Sequence, residues 1–176
     1  MSHSLDTGGR RRGFTLIELA VVISIVALLA GALLDRLLFY QEQAEKAAME
    51  QMAGTVRSAL HLQVASLIAK GRPGDIQELL KENPMEWLAE KPANYLGEYF
   101  APKPQDIEPG NWYFDLQTRN LIYSVRNRTH FRTEEKESNL IQFQVQFAPP
   151  VKGRKADADN PIEGVILEPV VPYRWF

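Results

Sequence analysis

The sequence predicts an α+β protein, with one long N-terminal helix packed on a small antiparallel sheet of three to four strands. Three observations lead there. An almost unbroken apolar run fills Phe14 to Leu34. Apolar residues then recur at intervals of three and four as far as Leu67, the period of a helix. After residue 110 the pattern changes to short runs of aromatic and β-branched residues separated by turn residues, which are strand and hairpin signals.

Size and charge narrow the reading further. The chain has 176 residues, room for one modest domain and an extra element. Its formal charge of −2 implies no strong polyelectrolyte partner. There are no cysteines, which excludes a disulfide framework, a thiolate metal site and a cysteine nucleophile.

The first element is the apolar run, 21 residues whose polar members are Thr15, Glu18 and Ser24. As a helix it is about 31 Å long, matching a hydrocarbon core of ~30 Å. Arg10, Arg11 and Arg12 precede it, with no comparable cluster after it. That asymmetry predicts a cytoplasmic N-terminus and an exported remainder. A secretory signal peptide has a shorter apolar core of ~7–15 residues followed by a small-residue cleavage site. Here Ala30-Gly31-Ala32 leads into more leucine instead. A plain signal anchor explains length and orientation equally well, but it does not explain Glu18.

A carboxylate within a membrane helix costs roughly 2.5–3.5 kcal/mol and ordinarily marks a partner or a pathway. A cut between Gly13 and Phe14 would create an α-amino cation four residues from Glu18. A neighbouring helix shifted along its axis would then set its own Glu18 against that amine, cancelling two expensive charges and fixing the stagger between copies.

The run Arg10-Arg-Arg-Gly-Phe-Thr-Leu-Ile-Glu18 resembles the prepilin signature of type IV pilins and type II secretion pseudopilins. That pattern is a basic leader, Gly before the cut, Phe at the first mature position and Glu at the fifth. It covers about the first quarter of the chain. The resemblance implies cleavage by a prepilin peptidase and N-methylation of Phe14. It also implies assembly with other pilin or pseudopilin subunits by an inner-membrane platform and its ATPase. The proline usual within the family's first helix is absent. Asn83-Pro84-Met85 through Asn94-Tyr95-Leu96-Gly97 is similar to segments of minor pilins, including those of mannose-sensitive haemagglutinin-type pili.

The helix should continue as an amphipathic rod with Met49, Met52, Val56, Leu60, Val64 and Leu67 on one stripe, ending near Lys70 before Gly71, Pro73 and Gly74. Residues 75–82 read as a short helix, with Asp75 as cap and Glu78 at capping-box spacing. A connecting region rich in proline and aromatics follows. Trp112–Leu116 and Leu121–Val125 read as a hairpin, Leu140–Phe147 as a half-buried antiparallel strand, and Gly164–Val171 as a last strand. The expected organisation is a removed leader (1–13), a transmembrane helix (14–38), an exported helical half (39–72), a short helix with connection (73–110) and a β head (111–176).

Other candidate sites are weaker. The basic run Arg126–Arg132, with His130 and Phe131, reads as a solvated turn. Glu134, Glu135 and Glu137 follow it and oppose a nucleic-acid partner. Asp157, Asp159, Asn160 and Glu163 offer oxygen ligands, but without EF-hand spacing, and Arg154 and Lys155 adjoin them, so no metal is expected. His61 and His130 lack the companions of a catalytic site, and the aromatic end Tyr173–Phe176 fits packing on the head or on a neighbour. The sequence therefore points to a structural subunit with no cofactor and no catalytic residues, in contact with membrane lipid through its first helix. It would reside in a bacterial inner membrane with its head in the periplasm, and then in a pilus or pseudopilus. The competing reading is an uncleaved single-pass protein whose periplasmic head binds a ligand or partner.

Overall fold

A computed structural model describes residues 14–134, 138–148 and 164–176. The chain divides into two compact units after Tyr40. The helix α1, Leu16–Ala69, begins in the first and ends in the second. Its N-terminus is capped by Thr15, whose Oγ1 accepts from the Glu18 amide at 3.2 Å. Its C-terminus closes one residue earlier than the sequence predicts. Gly71 adopts φ +69°, its amide reaches the Ile68 carbonyl, and the Arg72 amide reaches the Leu67 carbonyl. These two bonds form a Schellman closure, and the left-handed residue in it favours glycine.

The short helix after the turn differs from the expectation. Residues Pro73–Asp75 form a 3₁₀ turn, and only Ile76–Leu79 are α-helical (α2). Asp75 makes no capping bond, because its backbone is already helical (φ −79°, ψ −6°), whereas a capping residue takes an extended backbone. Asp75 instead pairs with Arg72, and Glu78 with Lys81. The residue that does cap is Asn83, whose side chain accepts from the Met85 amide at 3.0 Å ahead of the 3₁₀ turn Pro84–Trp87.

The head is built on a five-stranded sheet, more than the three to four strands the sequence suggests. Its strands are β1 (Tyr95–Tyr99), β2 (Trp112–Asp115), β3 (Asn120–Ser124), β5 (Leu140–Phe147) and β6 (Val165–Pro169), in the order β1-β2-β3-β5-β6. All pairings are antiparallel except β1 with β2. The connecting region thus supplies an edge strand. Gly97 at φ +104° and a register shift between Tyr95 and Glu98 interrupt β1, which erases the alternation that would have revealed it. Two further strands, β4 (Phe131–Thr133) and β7 (Tyr173–Trp175), form a separate antiparallel pair from the basic run and the aromatic end.

The core forms where the second half of α1 meets the sheet. Met49, Ala53, Val56, Leu60 and Val64 are buried with Trp112, Phe114, Leu121, Tyr123, Ile141, Phe143, Val145, Val165 and Leu167. The stripe read from the sequence is therefore the core face, with Met52 and Leu67 half-buried at its margins. Trp112 sits between Tyr123 and Phe143, with ring centroids 4.9 and 5.8 Å away. Full burial of such side chains stabilises by roughly 1.5–3 kcal/mol each. A smaller cluster of Ile107, Tyr113 and Ile122 covers the other face of β2 and β3.

Candidate functional site: the N-terminal helix segment

Among the described residues the first unit has no core of its own. Phe14 is 76% exposed, Leu16 87%, and the large apolar residues from Ile17 through Leu38 are likewise exposed. Between Phe14 and Leu34 three polar side chains interrupt this surface, and two are satisfied locally. The Thr15 hydroxyl accepts from the Glu18 amide, and the Ser24 hydroxyl donates to the Ala20 carbonyl at 2.8 Å. The exposed Glu18 carboxylate accepts no hydrogen bond and forms no ion pair among the described residues. The structure thus sets Glu18 in the first turn of α1, four residues from Phe14, with no compensating charge among the described residues. Gly13 and the leader arginines Arg10, Arg11 and Arg12 lie outside the described residues.

Residues 8–34 match the family model described as the prokaryotic N-terminal methylation motif. A curated relative, the type IV narrow pilus major component PilA5 of Thermus thermophilus, is 42% identical over 64 residues. The chain is type IV pilin-like. That alignment covers 36% of this chain and 53% of the relative, so the chain spans about half the length of the curated relative it matches. No solved structure matches the chain at a significant level. In this pilin-like chain the motif and the apolar, exposed start of α1 together fit membrane anchoring.

The head holds a second set of polar residues that sequence reasoning passed over. Glu42 and Glu45 lie on α1 ahead of the stripe and pin the basic run to the helix. The Glu45 carboxylate accepts from the Tyr123 hydroxyl (3.0 Å), the Arg126 amide (2.7 Å), and the Asn127 amide and side chain (2.9 and 2.7 Å). Glu42, 1% exposed, accepts from the His130 amide (2.8 Å) and the Trp175 indole (3.0 Å), and its other oxygen meets His130 Nδ1 at 2.9 Å. Burial alone would raise the Glu42 carboxyl. Hydrogen bonds from the His130 ring and amide and from Trp175, with the His130 charge, outweigh it and hold the pKa below the ordinary value. Only pairing a periodic helix with its sheet reveals these carboxylates.

The turn is exposed at Arg126, Arg128, Thr129 and His130, as the sequence reading expected, while Phe131 is buried. The aromatic end packs on the head. Trp175 is buried in the core, Phe176 stacks on His130 at 4.9 Å, and Lys46 donates to the Trp175 carbonyl. His61 is exposed on α1. No group of three or more candidate metal ligands occurs among the described residues. Asp157, Asp159 and Glu163 lie outside the described residues.

Proposed function

We propose that this chain is a structural subunit, a minor pilin or pseudopilin, of a type IV pilus or type II secretion-type filament. Glu18 carries the reading: among the described residues it is a carboxylate with no partner, on an exposed apolar run (14–34) whose other two polar side chains, Thr15 and Ser24, are satisfied locally. Prepilin peptidase cuts between Gly13 and Phe14, removing residues 1–13, and the new Phe14 amine is methylated. Residues 14–38 hold the subunit in the inner membrane, N-terminus inward and head in the periplasm. An assembly platform and its ATPase then feed it into the filament. There, Glu18 of one copy faces the Phe14 amine of the next, and the apolar helix packs laterally. The absence of cysteines favours a minor subunit over one closed by a distal disulfide, although the matching relative carries the name of a major component. The work assigned to the chain is assembly, not catalysis.

Mass spectrometry of the purified chain tests this first. The expected product begins at Phe14 and carries a methyl group. A chain recovered with Arg10, Arg11 and Arg12 still attached overturns the proposal in favour of an uncleaved anchor with a ligand-binding head. Glu18→Ala tests the charge pair separately. Membrane insertion should be unchanged and incorporation into sheared filaments should fall by at least tenfold. Normal incorporation would rule out the pairing.

A further inference from the structure

The two-stranded sheet β4–β7 sets Arg132 directly opposite Arg174. Phe131 and Trp175, their neighbours in register, turn into the core, so the two arginines share the outward face, and both are exposed. Side chains directly opposed across an antiparallel pair have Cβ atoms roughly 4.5–5.5 Å apart, and like charges there destabilise the pairing. A pair of three-residue strands has little stability in reserve against that repulsion.

Neither guanidinium has a carboxylate within ion-pair distance among the described residues. Arg132 is oriented by its own backbone, Nη1 donating to the carbonyls of Phe131 (2.7 Å) and Thr129 (3.2 Å). Arg174 makes no such bond among the described residues. Both line a cleft of about 500 Å³ with Thr133, Glu134, Pro172 and Tyr173.

We propose that Arg132 and Arg174 form an anion clamp for a phosphate or sulfate group. Two planar guanidinium forks on one face can each present paired N–H donors to the oxygens of a single tetrahedral anion. The anion converts cross-strand repulsion into a bridge that ties β7 to β4. Glu134, on the wall of the same cleft, opposes the anion and limits its affinity.

The test uses the full chain in nanodiscs of phosphatidylcholine, with head unfolding followed by tryptophan fluorescence at constant ionic strength. Inorganic phosphate and sulfate also raise stability generally, by exclusion from protein surface. The informative quantity is therefore the difference between the shift in the wild type and the shift in Arg174→Ala, a substitution that removes no hydrogen bond. In chloride alone, Arg174→Ala should melt at or above the wild-type temperature, because repulsion is relieved. At ten times the dissociation constant, phosphate should raise the wild-type melting temperature by about 4 °C more than it raises that of Arg174→Ala. Glu134→Gln should lower the phosphate concentration needed by severalfold. A second arm replaces added phosphate with phosphatidylglycerol in the disc. An Arg174-dependent shift there and not with the free ion assigns the group to a lipid headgroup. Equal shifts in wild type and Arg174→Ala in both arms overturn the clamp.

Discussion

One helix carries two apolar stretches of opposite exposure. From Leu16 to Leu38 the large apolar side chains of α1 lie open, whereas Met49, Val56, Leu60 and Val64 are almost entirely buried. The first stretch is apolar all round and the second only along one stripe. A stripe is what a single sheet can cover, and an all-round surface calls for an apolar environment on every side. The same contrast holds for two glutamates. Glu42 is surrounded by donors within its own chain, and Glu18 has none among the described residues.

The largest effect should come from breaking the buried stripe. Leu60→Ala opens a cavity at a site with no solvent exposure and should cost about 3–4 kcal/mol of head stability. Leu28→Ala, at a residue 76% exposed, should leave the same transition within about 0.5 kcal/mol. Urea unfolding followed by fluorescence measures both. The three tryptophans, Trp87, Trp112 and Trp175, all lie beyond Tyr40 and report the second unit. Equal losses at the two leucines would show that the contrast in burial has no energetic consequence.

Next comes Glu42. Truncation to alanine strands the buried Trp175 indole and the part-buried His130 amide and should cost about 2–3 kcal/mol. Glu18→Ala should leave head stability unaltered. The Glu42 carboxyl also sets a pH dependence. Its pKa is lower folded than unfolded, so its contribution is fully present above about pH 4.5 and fades as pH falls through the folded value. Asp115 is held low in the same way. Burial raises its pKa, but bonds from the Gln117 amide, the Thr118 hydroxyl and amide, and the Ala101 amide outweigh that. The two carboxyls therefore titrate in one acid window, and Glu42→Gln separates them. Its stability should fall less steeply below pH 4.5 than the wild type's, and parallel curves would remove Glu42 from the account.

Much of this contrast was legible in the sequence. Almost unbroken apolar composition marked the first stretch, and three-to-four spacing marked the second down to individual core residues. Strand β5 was read with its observed bounds because Ile141, Phe143 and Val145 alternate with glutamines. The losses share a cause. Strand β1 is broken by Gly97, and β4 and β7 are three residues each, too short for any period to register. Glu42, Glu45 and Asn83 act through partners distant in sequence, which residue type alone does not reveal. Glu18 was legible for the opposite reason, since a charge inside an apolar run needs no partner to be conspicuous.

Asn83 illustrates the hidden class at smaller cost. It caps the turn Pro84–Trp87 with its oxygen, while its Nδ2 donates to the Tyr95 hydroxyl at 2.7 Å and to Glu98 at 2.9 Å, tying the turn to β1. Asn83→Ala should cost about 1–2 kcal/mol. Amide exchange at Tyr95–Tyr99 should accelerate more than in β5. Uniform acceleration across the sheet would mean that Asn83 supports the whole head and not its edge.

The smallest effect tests redundancy. Glu45 accepts four hydrogen bonds, one from the Tyr123 phenol and three from Arg126 and Asn127. Burial first, then the Glu45 charge and hydrogen bond, push the Tyr123 pKa well above its ordinary value against a smaller opposing pull from Arg126, so the phenol remains a donor throughout the physiological range. Tyr123→Phe keeps the ring against Trp112 and removes that one donor, leaving a carboxylate with three others. The expected loss is about 0.5–1 kcal/mol. Glu45→Ala should lose more, because it strands the amides of Arg126 and Asn127 together. If urea unfolding gave Tyr123→Phe the larger loss, the phenol and not the turn's backbone would be the tether. The basic run would then be held to α1 through the sheet, not by its own amides.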